Sequence, residues 1–413
     1  MFTVIADAPF GLYWVSQAPP MFDQPFLTRS TGASQTQRFP FVLPTPGNPA
    51  TKNIDFSNFL PISSSPGVDP HAKLPYAMHL NFTVQRQLSK NTTMTLAYVG
   101  TQGRKLPVFL ESNPGDAALC QSLTGSGVRA GTIQCGPNGE DQIYTRPDGS
   151  KVYTTRPNFS DVVINGQPAF AGTNAYIKTM AYSHYHSFQA SLEHRANNMT
   201  FLAAYTHGKA IDSCSGFNCY ENFTNFALSR GLSRFDVTDN FVFSYAYMLP
   251  FHRLPGPRAL TEGWSINGIT RFATGFPIQI SQTGDRALSG SSGVDTPNFI
   301  GPLVTQDPRL KGPTGKANMY FDKAGFTSQA LGTFGTSSRS FFHGPGLNNF
   351  DFGLHKTTRI HERAELQIRA EFFNLFNHTQ FNNPNGSFTN SNFGFVTSAR
   401  SPRIGQVSAK VQW

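Results

Sequence analysis

The chain ends on Arg403-Ile-Gly-Gln-Val-Ser-Ala-Lys-Val-Gln-Trp413, and the alternation there constrains the fold more than any other feature. Successive side chains of a strand point to opposite faces. Val407, Ala409, Val411 and Trp413 therefore share one face, and Gln406, Ser408, Lys410 and Gln412 share the other. Such a strand needs an apolar medium on one side and a polar one on the other. A chain made of such segments folds as half-apolar sheet.

The same period recurs from about residue 76. Tyr76, Met78, Leu80, Phe82 and Val84 alternate with Ala77, His79, Asn81, Thr83 and Gln85, and Met94, Leu96 and Tyr98 follow the turn at Ser89-Lys-Asn91. This predicts a hairpin. Phe188, Ala190 and Leu192 oppose Gln189, Ser191 and Glu193, and Asn197-Asn198 turns the chain into Met199, Phe201, Ala203 and Tyr205. Phe241 to Leu249 and Trp264 to Phe272 alternate likewise. The most regular case is Arg363 to Phe373: Arg363, Glu365, Gln367, Arg369 and Glu371 lie on one face, Ala364, Leu366, Ile368, Ala370 and Phe372 on the other.

A soluble sandwich alternates too, with its inner face packed against a second sheet. A transmembrane barrel alternates because one face meets lipid and the other a polar lumen. Aromatic residues near the strand ends and long polar insertions at Glu111–Thr179, Asp212–Ser233 and Ser281–Thr336 favour the barrel. Charged residues make up 14% and aromatics 13% of the 413 residues, which excludes a disordered chain. No apolar run reaches about 18 residues, so helical spans are excluded. The net charge of +9 comes from scattered Lys and Arg without a nucleic-acid signature, so no nucleic-acid partner is expected. The start, Met1-Phe-Thr-Val-Ile-Ala-Asp-Ala-Pro-Phe10, has no basic region followed by an apolar core; since export needs one, a truncated beginning is expected.

Candidate chemistry is sparse. Cys120 and Cys135, and Cys214 and Cys219, form two close pairs in Gly/Ser/Asn-rich stretches, which favours loop disulfides over free thiols or metal ligation. The hairpin signal Pro147-Asp148-Gly149 predicts that the first insertion carries its own small sheet. His184 and His186 share a strand face and could share a metal, but sequence places no third ligand nearby. Asp212, Cys214, Cys219 and Glu221 match no ion-loop spacing. Glu365 and Glu371 stand roughly 20 Å apart by strand rise, too far for a paired-carboxylate mechanism. No enzyme and no cofactor are expected.

Several segments, in order, resemble the barrel of TonB-dependent outer-membrane receptors of the Oar-like group. They are Tyr98-Val-Gly-Thr-Gln-Gly-Arg-Lys-Leu106, Ala204-Tyr-Thr-His-Gly-Lys-Ala-Ile-Asp212, the run from Asp236 to Phe251, Gly263-Trp-Ser-Ile-Asn-Gly-Ile269, Thr274-Gly-Phe-Pro277, Ala370-Glu-Phe-Phe-Asn-Leu-Phe-Asn-His378, and the terminal strand. The resemblance implies a bacterial outer-membrane protein, an all-β antiparallel transmembrane barrel with long extracellular loops, of which this chain holds about 10–14 strands. Residues 1–75 are expected to be a loop-rich segment and 76–413 the C-terminal portion of the barrel. It also implies a terminal strand, Val407, Ala409, Val411 and Trp413, recognised by the barrel-assembly machinery. Arg363, Glu365, Gln367, Arg369 and Glu371 are expected to face the lumen. Lipid is one expected partner, and a TonB-type energy-transducing complex is another if a plug is supplied. The solute would be a bulky, scarce small molecule, saccharide or peptide. A plug-less porin-like or adhesive barrel, and a secreted all-β carbohydrate-binding protein, are the alternative readings.

Overall fold

The computed structural model describes residues 2–3, 62–64, 67–157, 163–164, 167–168, 170–173, 175–216, 225–291, 295–310, 318–361 and 364–413. Nine long strands make the frame: β1 Tyr76–Ser89, β2 Thr92–Glu111, β3 Ala175–Arg195, β4 Met199–Asp212, β5 Asp239–Met248, β6 Trp264–Ala273, β7 Leu347–His361, β8 Ala364–Phe373 and β9 Ile404–Gln412. Their order in the sheet is their order in the chain, each antiparallel to the next. With the short strands Phe2–Thr3, Gly67–Val68 and Gly231–Leu232 the sheet counts twelve. No described helix is long and apolar enough to cross a membrane.

Register explains why alternation survives from strand to strand. One row runs Met199, Tyr247, Ile266, Leu354, Ala370 and Val407 across six strands. The neighbouring row on the other face runs Thr200, Ala246, Asn267, Gly353, Glu371 and Gln406. A one-residue slip in any pairing would exchange the two faces, so each hairpin turn is held in register by all the others. The apolar face is left bare: Phe82 is 67% exposed and Val407 77%. Every other sheet among the described residues is two-stranded, too small to cover it. A sandwich would bury this face, so the arrangement fits lipid as its solvent.

Connections alternate in length. The links at 90–91, 196–198, 249–263 and 362–363 lie on one rim, and those at 112–174, 213–238, 274–346 and 374–403 lie on the other. Aromatic rings mark both rims. On the short-turn side Phe251 meets Trp264 edge-on, and Lys356 reaches off the apolar face to the Glu262 carbonyl, its Nζ 5.6 Å from the Trp264 ring. This is snorkelling, with the stem in the apolar layer and the ammonium at its border. On the long-loop side Phe241, Phe272, Phe350 and Phe376 form a chain of ring contacts at 6.3, 5.5 and 4.9 Å.

The buried apolar cores lie in the long-loop layer. Ile278, Ile280, Phe321, Phe326, Phe388 and Phe393 pack together from two loops, while Cys120, Leu123, Val128, Cys135, Tyr144 and Leu288 form a second core. β2 and β3 run further than alternation indicates, because Val108, Phe109, Leu110, Ile177 and Ala181 rise above the wall and are buried on both sides by loops. The first insertion is therefore 112–174, not Glu111–Thr179. β7 is a strand that sequence periodicity missed. The expected small hairpin is present, with Tyr144–Thr145 paired to Lys151–Val152 around Gly149 at φ 84°.

Phe243 sits mid-strand on the apolar face, between Ala203 and Thr270, and Ser244 sits beside it on the polar face. Phe243→Arg is expected to cost about 2–4 kcal/mol of folding stability in lipid vesicles, against less than about 0.5 for Ser244→Arg. Denaturant titration of the vesicle-inserted protein checks this; equal losses would contradict the assignment of faces.

Candidate functional site

Glu365, Gln367, Arg369 and Glu371 share the polar face of β8 and stand opposite Gln412, Lys410, Ser408 and Gln406 of β9. Gln406 donates to Glu371 Oε2 at 2.7 Å, Arg369 donates through Nε and Nη2 to Gln367 Oε1, and Arg359 of β7 lies 4.0 Å from Glu365. Of these contacts the first two pair a charged side chain with an amide, and only Arg359 with Glu365 joins opposite charges. Arg363 lies outside the described residues. Val407, Ala409 and Val411 sit on the apolar face of β9, and Trp413 follows it, 92% exposed.

The remaining sequence candidates separate. His186 Nδ1 is 2.6 Å from the Tyr98 hydroxyl, a cross-strand contact. Among the described residues no three His, Cys, Asp or Glu are grouped to hold an ion. Asp212 is buried and pairs with Arg339, which also donates to the Asp212 and Ser229 carbonyls. Cys120 and Cys135 are joined in a disulfide, and Cys214 is disulfide-bonded. Cys219 and Glu221 lie outside the described residues.

Three of the family-like motifs, around Asp236, Thr274–Pro277 and Asn374–His378, meet at the junction of wall and long loops, whereas Gly263–Ile269 starts at the short-turn rim. Asp236 accepts from the Ala210 N–H and lies 2.7 Å from His343 Nε2, tying the β4–β5 loop to the β6–β7 loop. Gly275 lies where a Cβ would come within 2.3 Å of the Gly344 and Pro345 carbonyls, so only glycine lets the loop fold back there. Asn374 and Asn377 end β8 at φ 54° and 52°; Asn374 bonds the His378 backbone, and Asn377 accepts from the Arg403 N–H. Asn tolerates this left-handed backbone better than most residues.

Below this junction the polar face carries a groove. One part, about 410 Å³, lies between the top of β6, the start of β7 and the β8–β9 loop, with Arg271, Phe276, Phe381 and Arg400 in its lining. The adjoining part, about 430 Å³, adds Tyr185, Thr206 and Asn240 and shares Val237 and Arg271. Tyr185, Thr206, Asn240 and Arg271 all belong to the polar face by register. No single segment announces this groove, since strands and loops far apart in sequence build it.

Over the wall, the 112–174 and 274–346 loops are clasped. Asp285 accepts from the N–H groups of Asn138, Ser289 and Gly290, and buried Arg156 donates to the carbonyls of Asn113 and Gly290 and to Asp141. Burial, and then the hydrogen bond to Asp285, push Glu140 from 4.5 up to about 8. The folded clasp therefore keeps a proton that the unfolded loop releases near 4.5. Its stabilisation is complete below that pH and declines as pH rises towards 8, since the folded state binds the extra proton throughout that window. Hydrogen exchange at Gly115, Asn138 and Gly290 is expected to quicken between pH 5.5 and 8.5 beyond the intrinsic rate change, and Glu140→Gln should flatten this dependence. An unchanged wild-type protection factor would contradict the clasp.

Three solved structures are similar to this chain in part, each at 10% identity. The outer membrane transporter YddB from Escherichia coli has a TM-score of 0.40, with 84% of this chain covering 34% of that one. The siderophore receptor PirA from Acinetobacter baumannii scores 0.37 (82% and 32%), and the FrpB iron transporter from Neisseria meningitidis 0.35 (84% and 33%). The chain thus spans about a third of the length of these structures. A search of curated proteins gave no match. The family model of the outer membrane beta barrel domain matches residues 2–406. With that match over nearly the whole of an antiparallel, one-face-apolar sheet, the chain belongs to the outer membrane beta barrel domain family and is a protein of the bacterial outer membrane.

Proposed function

We propose that this chain is the solute-capturing wall of a TonB-dependent receptor that imports a bulky, scarce solute. The observation that carries the reading is the alternation of short and long connections along a sheet with one predominantly apolar face. Bacterial outer-membrane barrels keep short turns in the periplasm and long loops outside. The loop layer with its clasp and ion pairs is then extracellular, and Glu365, Gln367, Arg369 and Glu371 line the lumen. The strand carrying Val407, Ala409, Val411 and Trp413 finishes at the periplasmic rim, where the barrel-assembly machinery would engage it. Passage past the groove would be powered by an inner-membrane TonB-type complex acting on a plug.

On intact cells, added protease is expected to cut only the long-loop set, for example around 300–310, and to reach 196–198 only after the outer membrane is permeabilised. The inverse pattern would overturn the topology. Uptake of labelled solutes by producing cells should stop with a protonophore; uptake that continued would support the porin-like alternative. Trp413→Ala should lower outer-membrane yield severalfold while leaving synthesis unchanged, measured by fractionation, and an unchanged yield would contradict the role of the terminal strand.

A further inference from the structure

We infer that the groove beneath the long loops binds an organic anion, with Arg271 and Arg400 gripping a carboxylate or phosphate head and Phe276 and Phe381 covering an apolar ring body. The inference rests on the reading of the polar face as a solute path. Its support is the placement of two arginines without ion pairs among the described residues in the lining of one cavity. In the loop layer Arg156, Arg309 and Arg339 are each matched to a carboxylate, on Asp141, Asp307 and Asp212. Neither Arg271 nor Arg400 has an ion pair among the described residues, and both are exposed in one cavity. Arg271 spends only Nε, on Asn240 Oδ1 at 3.0 Å, which holds the guanidinium plane and leaves its other nitrogens for a ligand.

The lining of the 410 Å³ part contains no Asp or Glu. The adjoining part has one acid, Asp236, and it is already engaged by His343, Thr238 and the Ala210 N–H. Two planar guanidiniums that make no ion pair among the described residues suit a planar or tetrahedral oxyanion, which each can meet with paired N–H donors. Phe276, 45% exposed, and half-buried Phe381 supply ring faces beside that charge, so an anion with an apolar body gains burial that a bare inorganic ion cannot. The cavity admits a molecule of a few tens of atoms at most, so a larger solute would present only its charged end here.

The test is equilibrium binding to the full chain in detergent micelles, by saturation-transfer NMR and calorimetry, with benzoate, phenyl phosphate, inorganic phosphate and neutral benzyl alcohol as probes. Benzoate and phenyl phosphate are expected to bind at least about tenfold more tightly than benzyl alcohol and inorganic phosphate, with affinity falling as salt is raised. The preferred head, carboxylate or phosphate, is read from which of the two binds tighter. Arg271→Gln and Arg400→Gln should each weaken binding about tenfold, and Arg258→Gln, on the opposite rim, should leave it unchanged. Heat-modifiable gel migration confirms that each variant is folded, and Arg271→Lys, which keeps the charge and loses the fork, gives an intermediate loss. Equal binding of benzyl alcohol, or full binding by the folded double Gln variant, would overturn the inference. Those results leave membrane topology untouched, whereas failure of the protein to fractionate with the outer membrane would defeat the underlying reading instead.

Discussion

Everything in this molecule depends on backbone pairing that keeps parity between strands through the height of the wall. In hydrocarbon an unpaired N–H or C=O costs several kcal/mol, so a strand can cross only as part of a sheet that satisfies it. The eight pairings from β1 to β9 supply those bonds, and they bring apolar residues level with apolar and polar with polar. Irregular registers fall at strand ends, as at Gln87/Ser89 and Arg359/His361, or above the wall at Thr179/Ala181/Ser183. The wall itself is free to be simple because the irregularity is placed where water or loop can satisfy the displaced groups.

That division of labour separates stability from recognition. The wall holds almost no buried apolar core and relies on lipid for its outer face, whereas the loop layer is packed like a small soluble domain around Phe321, Phe393 and Leu288. Buried cations in that layer are matched to carboxylates, Arg339 with Asp212 and Arg156 with Asp141, which fixes loops that secondary structure alone would leave loose. The groove lies where the two regimes meet. Its floor is set by strand register and its walls by the loops, so the sheet positions Arg271 while Arg400 comes from the β8–β9 loop.

Much of the wall was legible in the sequence because parity is a local property. The rows of β4, β5, β6, β8 and β9 can be read from residues two apart, and the hairpin around Gly149 from its turn chemistry. β7 escaped because its apolar row, Phe350, Phe352 and Leu354, passes into Lys356 and Thr358, and its polar row is interrupted by Gly353. Lys356 fits only because Trp264 and the Glu262 carbonyl stand beside it, partners supplied by the preceding strand and turn. The upper parts of β2 and β3 lost their period because loops cover both sides. The groove was not legible at all: Arg271 and Arg400 become neighbours of one cavity through folding of loops, and no spacing encodes it.

The central claim, that one face of the sheet meets lipid and the other water, is tested most directly by spin labels placed singly along 239–248 of β5 in vesicles. Accessibility to oxygen, which concentrates in lipid, should peak at Phe241, Phe243, Tyr245 and Tyr247, and accessibility to a water-soluble nickel chelate at Asn240, Val242, Ser244 and Ala246. A two-residue oscillation of the two probes in antiphase is the predicted result. Uniform water access at every position, or an oscillation with the opposite phase, would contradict it.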